Sequence, residues 1–313
     1  MHITTSINLA VLCNNEMAFQ AIAQLLYTGA LKVVILPEKN QQLVADFKSF
    51  FAASTLTILT VNRKKLVDTL KSVIARNKVD AVLLMSFPYI LPASLLKVPR
   101  LGFINFHYGL LPQYRGVNPV LAQMLNYERY GGITVHVVDE GVDTGPVIMQ
   151  QKIEIKDDDT FGMHLGKLSV LGSTMAVNLL RMLTLGVALP TIAQDSTKAG
   201  YYGRVTAQNL MINWNKMSAN QIIRLINACN PWNKGAGAVL NQQVICFVEA
   251  ELLEDHSYNT LLPGTIVTLD NINGLRIQCS DARLMKINII YTPDGFLSAH
   301  KLSYGAAVNS RFN

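Results

Sequence analysis

Two periodicities alternate along the N-terminal half of the chain. Short runs that are apolar on both faces give way to stretches in which apolar residues recur every three or four positions. Residues 7–12 (Ile-Asn-Leu-Ala-Val-Leu) read as a buried strand. Ala18, Ala21, Ile22 and Leu25 follow at helical spacing, and Gly29 supplies a stop. Leu31 to Leu36 is a second strand, ending at Pro37. A helix near 40–52, a short strand at Thr57 to Thr60 and a helix near 64–77 come next. Residues 81–85 and 101–107 are apolar runs of strand length. The pattern predicts an α/β fold with a mostly parallel sheet covered on both faces. Ligands of such sheets bind beyond the carboxyl ends of the strands, and His107 lies at one.

The longest helical pattern covers 160–185. Phe161, Leu165, Leu168, Gly172, Met175, Leu179 and Met182 form one stripe, with Asp157-Asp158-Asp159-Thr160 as the cap region and Gly186 as the stop. No period is visible over 190–205, which reads as a linker. A short helix near 218–228 then leads to strand-like runs at 236–240, 243–252, 264–269, 274–278 and 283–290, separated by turn residues. That spacing suits a small barrel. The expected organisation is a catalytic domain over 1–189, a linker over 190–205 and a barrel domain over 206–313.

Candidate chemistry concentrates in Asn105-Phe-His107-Tyr-Gly-Leu-Leu-Pro112-Gln-Tyr-Arg115-Gly116, followed by Gly141-Val-Asp143-Thr-Gly145. Asn105 and His107 share one face of an extended strand. A second strand-like run, 133–138, precedes Asp143, and a folded sheet can bring that carboxylate to the imidazole. The amide can donate to a developing oxyanion, the imidazole can move a proton and the carboxylate can orient it. The set suits acyl transfer. A strand-end histidine is more often a satisfied core residue; its neighbours shift the reading toward chemistry. Arg115 reads equally as a holder of an anionic group or as a bridge between loops. His136, on the strand before Asp143, reads as structural support. His2, His164, His256 and His300 carry no partner signal.

These residues resemble the folate-dependent formyltransferase signature, Asn-x-His-x-Ser-Leu-Leu-Pro-x-x-Arg-Gly with a later Asp-x-Gly. The family includes methionyl-tRNA formyltransferase, sugar-nucleotide N-formyltransferases and glycinamide ribonucleotide transformylase. The likeness is dense over 101–155 and continuous in order over about 70–310. Arg115-Gly116 together with a second domain is closer to the methionyl-tRNA and sugar enzymes. The resemblance implies a Rossmann-like sheet with a smaller C-terminal open β-barrel of the OB type, and N10-formyltetrahydrofolate as formyl donor. Asn105, His107 and Asp143 match the catalytic positions. The matching donor pocket is Ser86, Phe87, Tyr89, Ile90 and Leu91, an apolar wall of Leu110, Leu111 and Pro112, and the loop Asp139, Glu140, Gly141 and Val142. Gly109 stands where the family usually has serine.

Composition narrows the alternatives. Half of the 313 residues are hydrophobic, and the net charge is +6. Residues 201–313 hold nine Lys and Arg against seven Asp and Glu, without the concentrated basic stripe of a nucleic-acid surface. No apolar stretch is long enough for a membrane span, and no signal peptide is visible. Cys13, Cys229, Cys246 and Cys279 are scattered and read as reduced thiols in a cytoplasmic protein. No metal-ligand spacing, Walker loop or Gly-x-Gly-x-x-Gly after the first strand appears.

The leading expectation is an N-formyltransferase acting on a small or carrier-bound amine, such as an amino sugar nucleotide or an aminoacyl group. The barrel then serves docking or dimerisation. Methionyl-tRNA formyl transfer is disfavoured. Those enzymes carry a basic insertion after the second strand, where this chain has Leu36-Pro-Glu-Lys-Asn-Gln-Gln-Leu43, and open on a Gly-Thr-Pro-x-Phe-like loop, where it has Asn14-Asn15-Glu16-Met17. Formyltetrahydrofolate hydrolysis would use the same three residues, and a non-catalytic folate or nucleic-acid binding module would not need them intact.

Overall fold

Strand β1 (Leu9–Cys13) is buried along its whole length, the expected fate of a run with no polar face. The structure is a computed structural model and describes residues 6–186, 188–254 and 261–313; His2 and His256 lie outside them. Helix α1 (Phe19–Tyr27) turns Ala21, Ile22 and Leu25 inward and ends before Gly29, whose φ of +74° suits a residue without a β-carbon. The alternation continues through β2 (Leu31–Pro37), α2 (Gln41–Phe50), β3 (Thr57–Val61), α3 (Leu66–Arg76), β4 (Ala81–Met85), α4 (Ala93–Leu96) and β5 (Phe103–His107). After these come β6 (Arg115–Gly116), α5 (Pro119–Leu125), β7 (Tyr130–Val137), β8 (Val147–Glu154), α6 (Phe161–Thr184) and β9 (Tyr201–Tyr202).

The seven-stranded sheet has the order β3-β2-β1-β4-β5-β7-β8. Neighbours from β3 to β5 are parallel, whereas β7 and β8 run antiparallel. Strand order reverses between β1 and β4, the switch point where α/β sheets open a crevice. One face packs Ala10, Leu12, Val33, Ile35 and Val82 against Leu70 and Ile74 of α3 and Leu95 of α4. Burying each large aliphatic side chain stabilises by about 1.5–3 kcal/mol. Leu168, Met175 and Leu179 of the α6 stripe are fully buried. The sequence pattern did not predict β8. Its burial is irregular, with Gln150, Gln151 and Lys152 all exposed, so neither period is visible there.

The described residues fall into two compact units. The first comprises those within Met1–Pro119, Tyr130–Glu154 and Leu165–Gly203; the second comprises Val120–Arg129, Ile155–His164 and those within Arg204–Asn313. These units cross the expected boundaries in two places. Two segments inside 1–189 cluster with the second unit. In addition, most of the expected linker is laced into the first. Ile192 exchanges backbone hydrogen bonds with Val147, and β9 pairs in parallel with β6. A polar segment held by backbone bonds leaves no hydrophobic period to read.

The second unit holds α7 (Ala219–Ala228), opened by a Ser218–Gln221 capping box. Around it lie β10 (Ala236–Leu240), β11 (Gln243–Leu252), β12 (Ile266–Asp270), β13 (Gly274–Gln278), β14 (Leu284–Thr292) and β15 (Gly295–Ser298). They form one antiparallel sheet, ordered β10-β11-β14-β13-β12 with β15 on β14. Trp214, Phe247 and Phe312 centre its core, with ring centroids 5.2–6.1 Å apart. Among the described residues no helix is long and apolar enough to cross a membrane.

Candidate active site

β5 ends the inner part of the sheet and carries Asn105 and His107 on one face. Its neighbour β7 places His136 opposite Asn105 and Thr134 opposite His107. Asp143 follows in the loop between β7 and β8, and all four groups meet. Asn105 Nδ2 lies 3.1 Å from His136 Nε2 and 3.4 Å from Asp143 Oδ1. His107 Nδ1 lies 3.4 Å from Asp143 Oδ1, and His136 Nε2 lies 3.7 Å from it. The structure thus brings together Asn105, His107 and Asp143, with His136 as a fourth member.

The surroundings fix the tautomers. His136 Nδ1 sits 2.9 Å from the Val137 carbonyl. A carbonyl only accepts, so Nδ1 carries the proton and Nε2 accepts from Asn105. His107 Nε2 faces the Tyr114 carbonyl at 2.5 Å, so Nε2–H donates there. The neutral His107 ring then presents its Nδ1 lone pair toward Asp143, and a proton taken at that nitrogen sits beside the carboxylate. Asp143 Oδ2 accepts from the Gly116 N–H at 2.9 Å. Burial pushes the Asp143 carboxyl up. With His107 protonated at Nδ1, its hydrogen bond and charge, together with the adjoining His136 ring and the Gly116 N–H, outweigh it and hold the group well below the usual carboxylate range.

Thr134 anchors the loop between His107 and Arg115. Its hydroxyl donates to the Gly109 carbonyl and accepts from the Leu111 N–H, while Gln150 reaches both Thr134 Oγ1 and the Leu111 carbonyl. Gly109 has a steric cause. A β-carbon there would stand 2.6 Å from Pro119 Cβ, 2.9 Å from His107 Nε2 and 3.1 Å from the Tyr114 carbonyl. Glycine lets the loop close onto the imidazole.

The loop expected to hold the formyl donor follows β4, whose last residue, Met85, pairs with Phe106 of β5. Phe87 and Tyr89 pack edge to face at 5.3 Å, and Ile90 is 76% exposed. Leu91 and Leu111 are instead buried, whereas Leu110 and Pro112 are half-buried. Asp139, Glu140, Gly141 and Val142 are exposed, and Asp139 Oδ1 accepts from the Gly141 N–H and the Thr144 hydroxyl. Arg115 is buried and bridges loops, donating to Gln194 and Tyr201. Of the other histidines, His164 is buried and His300 half-buried, both in the second unit.

Sequence reasoning missed Tyr114, Gly116 and Gln194. The first two act through backbone atoms, which no side-chain pattern reports. Gln194 lies in an aperiodic polar stretch.

A parallel-sheet α/β domain with an amide, an imidazole and a carboxylate at a strand end, joined to an antiparallel C-terminal domain, defines a class of group-transfer enzymes. The formyl transferase family model matches residues 9–177, and the model of the formyl transferase C-terminal domain matches residues 204–295. The chain is 30% identical over 230 residues to the methionyl-tRNA formyltransferase of Thermodesulfovibrio yellowstonii, covering 72% of each chain. It is 27% identical over 292 residues to that of Dictyoglomus thermophilum, covering 89% of this chain and 92% of the other. Among solved structures, the sugar 3N-formyl transferase WlaRD, crystallised in the presence of dTDP and 5-N-formyl-THF, has the same fold. The TM-score is 0.65 at 18% identity, over 90% of this chain and 97% of that one. The chain belongs to the formyl transferase family.

Proposed function

We propose that the chain moves the formyl group of N10-formyltetrahydrofolate to a primary amine on a small or carrier-bound molecule. The observation that carries this reading is the convergence of Asn105 Nδ2 and His107 Nδ1 on Asp143 Oδ1, each at 3.4 Å, at the carboxyl end of β5. Asn105 has two N–H groups. One is spent on His136, and the long contact to Asp143 leaves the other free to donate to the formyl oxygen as charge develops. The amine nitrogen bonds to the formyl carbon and the bond to N10 breaks. His107 Nδ1 takes the amine proton, Asp143 holds the resulting imidazolium, and the proton is returned to N10. The loop after β4, with Phe87 and Tyr89 half-buried and Ile90 exposed, offers apolar surface suited to a flat pterin. The sugar enzyme sharing this fold was crystallised with a folate.

Methionyl-tRNA is the second reading, favoured by the names of the relatives and by their length match. Against it stand two short loops. Only residues 38–40 separate β2 from α2. Asn40 caps α2 through the Leu43 N–H and donates to Asn14 Oδ1 at 3.0 Å, so the two loops that would carry a tRNA grip are short and tied together. Each phosphate contact with tRNA would make affinity fall with salt.

The test incubates the protein with N10-formyltetrahydrofolate and a panel of amino sugar nucleotides, aminoacyl carriers and methionyl-tRNA, and follows formylated product by mass. Transfer to a small amine with weak tRNA binding is expected. Tight, steeply salt-dependent tRNA binding with fast transfer would make methionyl-tRNA the acceptor. Formate release without any amine product would make the protein a hydrolase.

A further inference from the structure

Asp143 has a φ of +56°, a left-handed conformation that is unfavourable for a non-glycine residue and persists only where its surroundings impose it. Its carboxylate is fixed by the Gly116 N–H. Its backbone is fixed by Gln194, whose Nε2 donates to the Asp143 carbonyl at 2.9 Å and to the Gly145 carbonyl at 2.7 Å. On its other side, Gln194 Oε1 accepts from Arg115 Nε at 3.2 Å and Nη2 at 2.8 Å. All four hydrogen-bonding positions of this amide are thus used.

Arg115 is only 3% exposed, and its guanidinium meets neutral acceptors, Gln194 Oε1 and, through Nη1, the Tyr201 hydroxyl at 2.7 Å. A cation on the amide oxygen polarises the group and strengthens its two N–H donors. Strand β6 supplies both ends of this arrangement. Gly116 holds the carboxylate, and Arg115 holds the glutamine that holds the backbone. Tyr201 pairs with Arg115 between β9 and β6, and Tyr202 stacks on Tyr114 at 4.9 Å. The segment after α6 therefore straps both the Asp143 loop and the residue whose carbonyl anchors His107.

We propose that Gln194 is a positioning residue for formyl transfer: it clamps the Asp143 loop by two backbone carbonyls and is itself set by Arg115. The proposal rests on the reading of Asp143 given above. Gln194 touches Asp143 only through its backbone carbonyl and none of the side chains proposed to react, so its loss should be read in the rate and not in substrate affinity.

Two variants and two readouts test it. Gln194→Leu removes the amide. Gln194→Glu keeps an acceptor for Arg115 but loses both donors. Each is expected to lower kcat by about 10- to 100-fold, the scale of a small misplacement, with KM changed by less than about threefold. The second readout needs no activity. A carboxyl whose pKa falls on folding adds stability that is full above its unfolded value, about 4. That stability is lost as pH falls below it toward the folded value. Asp143→Asn lacks this contribution, so the stability difference between wild type and Asp143→Asn should shrink from about pH 6 to about pH 3 in urea unfolding. Against a Gln194→Leu background the same difference should lose at least half of that pH dependence. A clamp with only a general stabilising role would shift the midpoint equally at every pH. Unchanged acid dependence in Gln194→Leu overturns the proposal whatever the rate, and so does a wild-type rate in Gln194→Glu. If the wild-type protein formylates no amine, the proposed function fails and the acid series still decides the clamp.

Discussion

Asn105 and His107 stand on β5 between two hydrogen-bonded neighbours, β4 and β7, while Asp143 stands in a loop held by groups from elsewhere in the chain. The strand half is positioned by the sheet. Side-chain direction there follows from the pleat, and a fully buried core beneath it leaves little room to move. The loop half is positioned by single hydrogen bonds, from Gly116 and Gln194, against an unfavourable backbone angle. A substitution under the strand half should act through stability, and one around the loop half through geometry. Polar residues in an aperiodic segment can thus matter more to rate than apolar residues in the core.

The largest expected effects come from the side chains proposed to react. His107→Ala should lower formyl transfer by roughly 10²- to 10⁴-fold and Asn105→Ala by about 10²- to 10³-fold, on the scales of single acid–base groups and oxyanion donors. Thermal unfolding of both variants should stay cooperative. More than about a tenth of wild-type turnover in His107→Ala, measured on the best amine acceptor, would remove the imidazole from the chemistry.

A smaller effect is expected where the two halves meet. His107 sits on the strand, yet its Nε2 is anchored by a loop carbonyl that only Gly109 allows to approach so closely. Gly109→Ser should push Tyr114 away and free the ring to rotate, lowering kcat by about tenfold. Its melting temperature should fall less than that of a core truncation. An unchanged kcat would mean that the strand alone fixes the imidazole, which would sharpen the contrast between the halves.

How far each region could be read in advance follows the same division. β1, β2, β4 and β5 announced themselves as apolar runs because both their faces are buried, and α6 did so through its stripe. The Asn105–His107 pair was readable because a strand puts alternate residues on one face. Asp143 was singled out by its motif, but its left-handed backbone was not, since that conformation is held by Gln194 and Gly116. The 190–205 stretch read as a linker because a segment that packs through backbone bonds and one amide has no apolar period. Gly109 was visible as a departure from the family pattern, and its cause, a clash with Pro119, His107 and Tyr114, exists only once the loop is folded.

The smallest expected effect on rate belongs to Ile104, between Asn105 and Phe103 on β5. It is fully buried and pairs with Leu83 of β4 and Val137 of β7. Ile104→Val removes one methyl group from a packed site, which costs about 0.5–1.5 kcal/mol of stability. The sheet hydrogen bonds do not depend on that methyl, and Asn105 and His107 point to the opposite face. Turnover per folded molecule should therefore stay within about twofold of wild type, although the residue adjoins Asn105 in the chain. Gln194, far along the chain, should show a large loss of rate in addition to the loss of whatever stability its four hydrogen bonds supply. Urea unfolding and kcat measured on the same two preparations make the comparison. If Ile104→Val slows turnover as much as Gln194→Leu does, the strand is no more rigid a support than the loop, and the site is held as one coupled unit.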